Sequence, residues 1–417
     1  YDILCPIVHP KKEWLSYYEK AYNERGTVRN INRAQECIRH YLNDEPIPGI
    51  AWEYEMIQQV LPVLTVDMLN QIAQNIVTDE NLIISFQAPA DESVGLPTEK
   101  QAVELLALVK NEEIEAPAEE AIRENLVETA PKVGKIKKTA HNETLGVTEW
   151  TLSNGVRVVV KPTSFKQDEI LFYAFSPGGN SLVATADLPS AALATSVIEL
   201  GGLADMSATD LQKALTGKRV SIGPSIGEYS ESLNGSSTIK DLETLLQLNY
   251  LYFTAPRRDA ESYQTLISIL NSQLANRDKN PKVAFSDSVQ MMQTDHSDRT
   301  IIFNKAMLEK VSLDKALEVY KARFANPADF TFFFVGNVDP NDEAFQAQVR
   351  TWLGGLNTNK KLERAADDKV RVPEGINKNY FTREMETKTA SNRIQYTSYD
   401  MPYTLANDLN MEMIGRI

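Results

Sequence analysis

A turn-and-strand signal at residues 150–161 constrains the fold more than any other stretch of this chain. The sequence WTLSNGVRVVVK places Asn154-Gly155 between a short polar-apolar segment and a run of β-branched residues. An Asn-Gly pair tolerates the positive φ angles of a tight turn, and β-branched residues favour strands. The pattern therefore predicts that a domain containing a β-sheet begins here.

Composition limits the function classes. With 417 residues, of which 42% are hydrophobic, the chain can bury more than one core, so we expect two or more domains. A formal net charge of -14 argues against a non-specific nucleic-acid binder, because a phosphate backbone requires a basic face. No apolar run approaches the roughly 20 residues that span a bilayer. Cys5 and Cys37 are too few for a disulfide scaffold, and the sequence fixes neither their redox state nor the compartment.

The first part of the chain has helical periodicity. Apolar residues recur at intervals of three and four from 11 to 78, Thr65 is placed to cap the last helix, and residues 81–86 are predicted to form a strand. Prolines, an acidic run and a basic run then indicate a charged linker over residues 89–147, with short helices at 98–109 and 118–127. The chain ends within an amphipathic helical pattern, so we expect an internal fragment of a longer protein.

The stretch from 148 to 358 alternates strand and helix signals. We predict that strands 156–160 and 170–175 form a hairpin and that residues 330–339 form a strand too apolar to lie anywhere but the centre of a sheet. Further predicted strands are 220–226 and 231–237. The predicted helices are 188–203, a helix opened by a Ser207 and Asp210 capping box, 239–253, 260–274, a helix capped by Ser312, and 341–352. A strand at 392–399 and a final helix open another domain.

Four short motifs, in this order and spacing, resemble the insulinase/pitrilysin family of zinc metallopeptidases. They are Leu64-Thr65 before a helix with Asn81 before a strand, LSNGVRVVV at 152–160, LETLLQLNYLYF at 242–253 followed by Pro256, and VGNVDP at 335–340. The resemblance implies an α+β fold of repeated homology domains, each a mainly antiparallel sheet with helices on one face. Members of the family pair these domains into two halves, joined by a linker, around an enclosed chamber.

On this map, residues 1–88 are the end of a second homology domain and 89–147 the linker between the halves. Residues 148–358 are a complete third domain, which the resemblance implies is catalytically inactive, and 359–417 are a linker and the truncated start of a fourth.

The family's chemistry requires His-x-x-Glu-His on a helix, with two imidazoles that bind zinc and a carboxylate that acts as general base. The matching helix of this chain has Thr195, Ile198 and Glu199 instead. The four histidines, His9, His40, His141 and His296, are never within four residues of each other, and residues 262–274, where a third ligand would lie, hold no carboxylate. The sequence therefore predicts no catalytic and no metal-binding residue in this chain, and it identifies no substrate-binding residue.

Two interpretations stay open. The chain is the non-catalytic carboxyl-terminal half of a zinc endopeptidase, with zinc held only by the missing amino-terminal half, or it is a non-catalytic peptide-binding or scaffold protein on the same fold. The expected partners are a peptide substrate and that missing half, with neither nucleic acid nor a membrane span. The resemblance favours a bacterial periplasm or cell envelope.

One alternative metal site needs consideration. Cys5, His9, Cys37 and His40 form C-x3-H and C-x2-H pairs, which could in principle bind zinc. Cys37, however, lies in an apolar stripe with Ala34 and Ile38, so we expect a buried free cysteine instead.

Overall fold

The structure is a computed structural model that describes residues 8–76, 82–87, 95–110, 123, 125–359, 362–384, 388–397 and 401–415. Its amino-terminal part is helical, as predicted. The helices are α1 (Val8–Asn23), α2 (Asn30–Asn43), α3 (Ile50–Val63), α4 (Val66–Ile76) and α5 (Glu99–Lys110). The Thr65 cap is confirmed, because its hydroxyl accepts a hydrogen bond from the Met68 amide.

The strand predicted at 81–86 is wrong where it can be assessed. Residues 82–87 have no regular secondary structure, and Ile83 is 88% exposed. A strand needs a neighbour to satisfy its main-chain groups, and no sheet in the described part of the chain receives this segment. Residue 81 lies outside the described residues, as does most of the helix predicted at 118–127.

Seven strands in the described residues form one mixed sheet. They are β1 (Ile136–Asn142), β2 (Val147–Leu152), β3 (Arg157–Pro162), β4 (Ile170–Pro177), β5 (Val220–Ile226), β6 (Ser230–Ser237) and β7 (Thr331–Gly336). Their order across the sheet is β1-β2-β3-β7-β4-β6-β5. Only the β3–β7 pair is parallel, and the other five are antiparallel. This mainly antiparallel sheet agrees with the predicted fold class.

Strand β7 lies at the centre of the sheet, as predicted, but its position makes the predicted hairpin wrong. It pairs with β3 on one side and with β4 on the other, so β3 and β4 do not touch as neighbours. Phe332 and Phe334 are fully buried. A strand this apolar is favoured between two others because both its hydrogen-bonding edges and one whole face are then removed from water.

Strand β1 was not predicted, and it lies within the segment interpreted as a linker. It pairs with β2 along its length and forms one edge of the sheet. Lys137 and Lys138 are exposed on it. Charged residues are common on edge strands, where they discourage pairing with other chains, and the same charges made this strand resemble a linker. Contact with the sheet unit begins even earlier, because Leu126 is buried and its amide donates to Gln247 Oε1 at 2.8 Å.

The remaining helices follow the sheet strands along the chain. They are α6 (Leu188–Ala191), α7 (Ala194–Gly201), α8 (Ala208–Ala214), α9 (Leu242–Thr254), α10 (Ala260–Leu274), α11 (Pro281–Gln293), α12 (Lys305–Leu308), α13 (Leu313–Arg323), α14 (Glu343–Trp352) and α15 (Leu405–Ile414). The helix predicted at 188–203 is thus two helices. The capping box of Ser207 and Asp210 is confirmed, and so is the cap at Ser312. The strand predicted at 392–399 is wrong over residues 392–397, which have no regular structure; the other two lie outside the described residues.

Helices cover one face of the sheet, which the burial of β4 demonstrates. Ile170, Phe172 and Ala174 are buried, whereas the residues between them are exposed. The buried face contributes to one core with α9, α13 and α14, and Phe334 lies in its middle, with ring centroids 5.2 Å from Phe172 and 5.3 Å from Phe345. This arrangement confirms the predicted α+β architecture.

Helix α1 joins the helical part to the sheet through buried polar contacts. Asn23 donates its side-chain amide to Asp168 Oδ2 at 2.8 Å, and the Asp168 amide donates to Glu24 Oε1 at 2.6 Å. The other Asp168 oxygen accepts from the Ile239 amide at 3.1 Å. Asp168 therefore links the end of α1 to the loops beside β4 and β6.

The pKa of Glu24 is lowered at this junction. Burial by itself raises it, but hydrogen bonds from the Thr27 hydroxyl and from the Asp168 and Gln167 amides, together with the nearby Lys166 charge, outweigh that effect. The ionised carboxylate therefore stabilises the junction.

We predict that Phe334→Ala lowers the free energy of unfolding by about 3–5 kcal/mol, because it removes a fully buried ring and leaves a cavity. Urea denaturation of the chain measures the change. Phe165→Ala is the matched control, since that ring is 84% exposed, and it should change stability by less than about 0.5 kcal/mol. Equal effects of the two substitutions would contradict the assigned core.

A second prediction concerns pH. Because the folded-state pKa of Glu24 lies below the ordinary 4.5, its ionised form contributes stability above pH 4.5, and that contribution is lost as the pH falls through the folded-state value. Glu24→Gln should therefore destabilise the chain by about 1–2 kcal/mol at pH 7 and progressively less towards pH 4. Urea denaturation at several pH values measures this, with Glu36→Gln on the exposed surface of α2 as control. A pH-independent difference would rule out this role for the carboxylate.

Candidate functional site

The candidate site is the corner between α7 and the edge strand β5, where the family resemblance places the zinc motif. The three residues at the motif positions do different things. Thr195 is half-buried, and Ile198 is fully buried in the main core. The Glu199 carboxylate lies against β5, so close to Gly223 that a Cβ atom there would stand 2.7 Å from Glu199 Oε1. Only one of the three positions therefore offers a carboxylate or imidazole.

Glu199 is exposed to solvent, but its carboxylate is partly buried against β5. Burial raises its pKa, and it is the sole cause of the shift. Tyr252 donates its hydroxyl to the Ile222 carbonyl at 3.3 Å, and Tyr320 donates to the Tyr252 carbonyl at 3.1 Å. Burial also raises the pKa of both phenols, and the Glu199 charge adds to the effect. The corner thus places one carboxylate beside uncharged phenols, without the second and third ligands that a zinc ion requires.

Over the described ranges, no three histidine, cysteine, aspartate or glutamate residues come together in a way that would bind a metal ion. The expectation that Cys37 is buried is wrong: it is exposed, because α2 buries none of its residues. His40 Nδ1 is 2.7 Å from the Glu45 carbonyl oxygen. Cys5 lies outside the described residues, as does the side chain of His9.

Two main-chain groups in the middle of the β5 edge are not available to an added peptide strand. Pro224 has no amide hydrogen, and the carbonyl of Ile222 already accepts the Tyr252 hydroxyl. Prolines on edge strands remove a donor that an incoming strand would use. This edge is therefore a poor acceptor for a peptide that adds by main-chain hydrogen bonds.

The open face of the sheet has a different character. Leu171, Tyr173 and Phe175 of β4 are exposed there, beside the half-buried Phe333 of β7. The Tyr173 ring centroid lies 6.2 Å from that of Phe175 and 6.1 Å from that of Phe333. We call these four residues the aromatic stripe. Contiguous exposed apolar groups of this kind mark interaction surfaces.

Sequence reasoning missed the aromatic stripe although it predicted the strand. Residues 170–175 are apolar at almost every position, so the pattern did not separate a covered face from an open one. Apolar residues on both sides of an antiparallel strand were the available signal.

Two glycines and two arginines near this corner have structural roles. Gly202 ends α7 with a φ of 87°, and Gly179 has a φ of 60° in the turn after β4, where a Cβ atom would lie 2.4 Å from the Ser230 amide nitrogen. Arg257 contacts the Gly201 carbonyl and Asp259, and Arg258 pairs with Asp314 at 2.8 Å. Both arginines therefore already have acidic partners.

Comparison with known proteins places this geometry in context. No protein-family model matches the chain. Over 344 residues it is 27% identical to a zinc protease PQQL-like protein of Arabidopsis thaliana. This alignment covers 82% of this chain and 33% of that relative. Over 230 residues it is 24% identical to the probable zinc protease PqqL of Escherichia coli. This second alignment covers 53% of this chain and 24% of the relative. The chain thus spans at most about a third of these two relatives.

Among solved structures, the fold is similar to that of the periplasmic protease PqqL from Escherichia coli. The TM-score is 0.54 at 18% identity, over 87% of this chain and 40% of that one. In the part of the chain that the structure covers, no helix is both long and apolar enough to span a membrane.

Proposed function

The chain resembles the zinc proteases of the insulinase/pitrilysin family in sequence and fold, and we propose that it is the non-catalytic carboxyl-terminal half of a zinc metalloendopeptidase. In this role it completes a substrate chamber and helps to hold a peptide, while the amino-terminal half of the longer polypeptide binds zinc and cleaves the peptide bond.

Helix α7 carries this proposal. It lies against β5, in the place that the resemblance gives to the zinc motif, and it has an intact helical structure with Ile198 packed into the core. A zinc peptidase needs two imidazoles and a general base at this helix. The fold is therefore preserved where the ligands are replaced, which is the pattern expected of a structural copy of a catalytic domain.

The division of the chain belongs to the same proposal. Residues 1–88 end a second homology domain, 89–147 connect the halves, 148–358 form the inactive third domain, and 359–417 lead into a fourth. The β1 strand and the buried Leu126 support an attachment of the connecting segment to the third domain before residue 148.

Peptide contact is assigned to the aromatic stripe. An extended apolar peptide gains free energy when its side chains cover Leu171, Tyr173 and Phe175, because exposed apolar surface is removed from water. The β5 edge is disfavoured by Pro224 and by the occupied Ile222 carbonyl. Side-chain contacts on the open face therefore take the place of the strand addition that many peptide-binding domains use.

The second candidate function is a non-catalytic peptide-binding or scaffold protein on the same fold. The aromatic stripe favours it equally, since peptide binding there needs no metal. An intact His-x-x-Glu-His motif in the rest of the polypeptide separates the two candidates. The periplasmic location of the PqqL neighbour supports a periplasmic or cell-envelope compartment for this protein.

We predict that the longer polypeptide contains one zinc ion and cleaves peptides, whereas the 417-residue chain alone does neither. Metal analysis after dialysis, followed by cleavage assays on a peptide library, measures both properties. Stoichiometric zinc in the chain alone would refute the assignment of an inactive half. A longer polypeptide without zinc or cleavage would favour the scaffold function.

We further predict that Tyr173→Ala weakens the binding of an extended apolar peptide by about tenfold, because the stripe loses the ring that contacts both Phe175 and Phe333. Fluorescence anisotropy with a labelled peptide measures the affinity. Tyr403→Ala is the matched control, since that ring is 90% exposed and lies outside the sheet. Circular dichroism verifies folding. Unchanged binding in a folded Tyr173→Ala variant would remove the stripe from the peptide site.

A further inference from the structure

A surface cavity lies at the β1 edge of the sheet, opposite to the β5 edge that holds the candidate site. It has a volume of about 600 Å³ and opens between β1, β2, the loop at 340–341 and α14. Ligand-binding pockets in proteins typically have volumes of about 300–1,000 Å³, so the cavity is large enough for a small molecule. Of the lining residues, only Pro340 belongs to a motif of the family resemblance, and the peptide function does not use this region.

The charge of the lining is opposite to that of the chain. Lys135, His141 and Arg350 line the cavity, together with neutral residues, and no aspartate or glutamate is among the lining residues. The whole chain, in contrast, has 57 acidic and 43 basic residues. The cavity lining is therefore positively charged on an otherwise acidic protein, and this charge favours an anion.

Arg350 supplies the most specific observation. Its Nε atom is shielded from solvent and has no hydrogen-bond partner in the described part of the chain. Buried donors are almost always paired, so an unpaired one points to a missing ligand or water. An arginine fork matches the oxygen atoms of phosphate and carboxylate groups in geometry and charge.

Nearby acids do not neutralise the cavity. Glu343 lies 3.6 Å from an Arg350 terminal nitrogen, but its side chain is 84% exposed, and exposed ion pairs of this kind are weak. Asp339 does not line the cavity, and its Oδ1 atom accepts hydrogen bonds from the amide and the side chain of Asn341. His141 contacts the Thr148 hydroxyl through Nδ1 at 3.1 Å, which fixes the ring on the wall of the cavity.

We propose that this cavity binds a small molecule that carries a phosphate or carboxylate group, with Arg350 as the main anchor and Lys135 as the second positive charge. The site is independent of the peptide function, because the aromatic stripe is on β4 and β7 while the cavity is formed by β1, β2 and α14.

Isothermal titration calorimetry of the 417-residue chain at pH 8 tests the proposal, with sodium phosphate and with propane-1,2,3-tricarboxylate as probes at constant ionic strength. We expect one site for at least one probe, and the tighter probe identifies the anionic group. Arg350→Gln should weaken binding about tenfold or more, because charge-assisted hydrogen bonds are lost. Lys135→Gln, which removes an exposed side chain, should weaken it severalfold and serves if Arg350→Gln does not fold.

Lys137→Gln is the matched control. Lys137 is an exposed residue of β1 that does not line the cavity, so its replacement removes the same charge from the chain and should leave the affinity within about twofold. The proposal is overturned if neither probe binds at millimolar concentration. It is equally overturned if Lys135→Gln and Lys137→Gln weaken binding by the same factor, because the attraction would then be a general effect of charge.

Discussion

The insertion of β7 between β3 and β4 is the constraint on which the rest of the molecule depends. Val158 pairs with Phe332 on one side, and Phe172 pairs with Phe334 on the other. These contacts join residues more than 150 positions apart, so the central strands pair only when distant parts of the chain come together. Phe332 of β7 and Phe330 just before the strand pack against α9, since the Phe253 ring centroid is 6.0 Å from that of Phe332 and 5.0 Å from that of Phe330. Phe324, which directly follows α13, is 5.5 Å from Phe330.

Features fixed by nearby residues were predictable from the sequence. The capping box of Ser207 and Asp210 and the Thr65 cap depend on residues three positions apart, and both are present. The β3–β4 hairpin failed for the opposite reason. Strand signals at 156–160 and 170–175 were correct, but the strand that separates them comes from residue 331 onwards. Strand β1 and the segment at 82–87 also depended on partners that local patterns do not identify.

The candidate site and the proposed binding surfaces also differ in how far the sequence predicts them. The lack of zinc ligands on α7 could be read directly from Thr195, Ile198 and Glu199, because side-chain chemistry is written in the sequence. The two proposed binding surfaces could not be predicted from the sequence. The aromatic stripe exists because helices cover only one face of β4, and the anion cavity exists because α14 folds over β1 and β2. Both depend on contacts between elements far apart in the chain.

The packing of Ile198 also opposes a general base at this position of α7. Its side chain is fully buried among apolar neighbours, and a carboxylate in that position would lose its hydration without gaining a partner. The neighbouring Glu199 is exposed to solvent, and partial burial of its carboxylate raises its pKa. A metal ion could offset the charge of such a carboxylate only if its other ligands were present as well. A carboxylate in place of Ile198 is therefore opposed by the core.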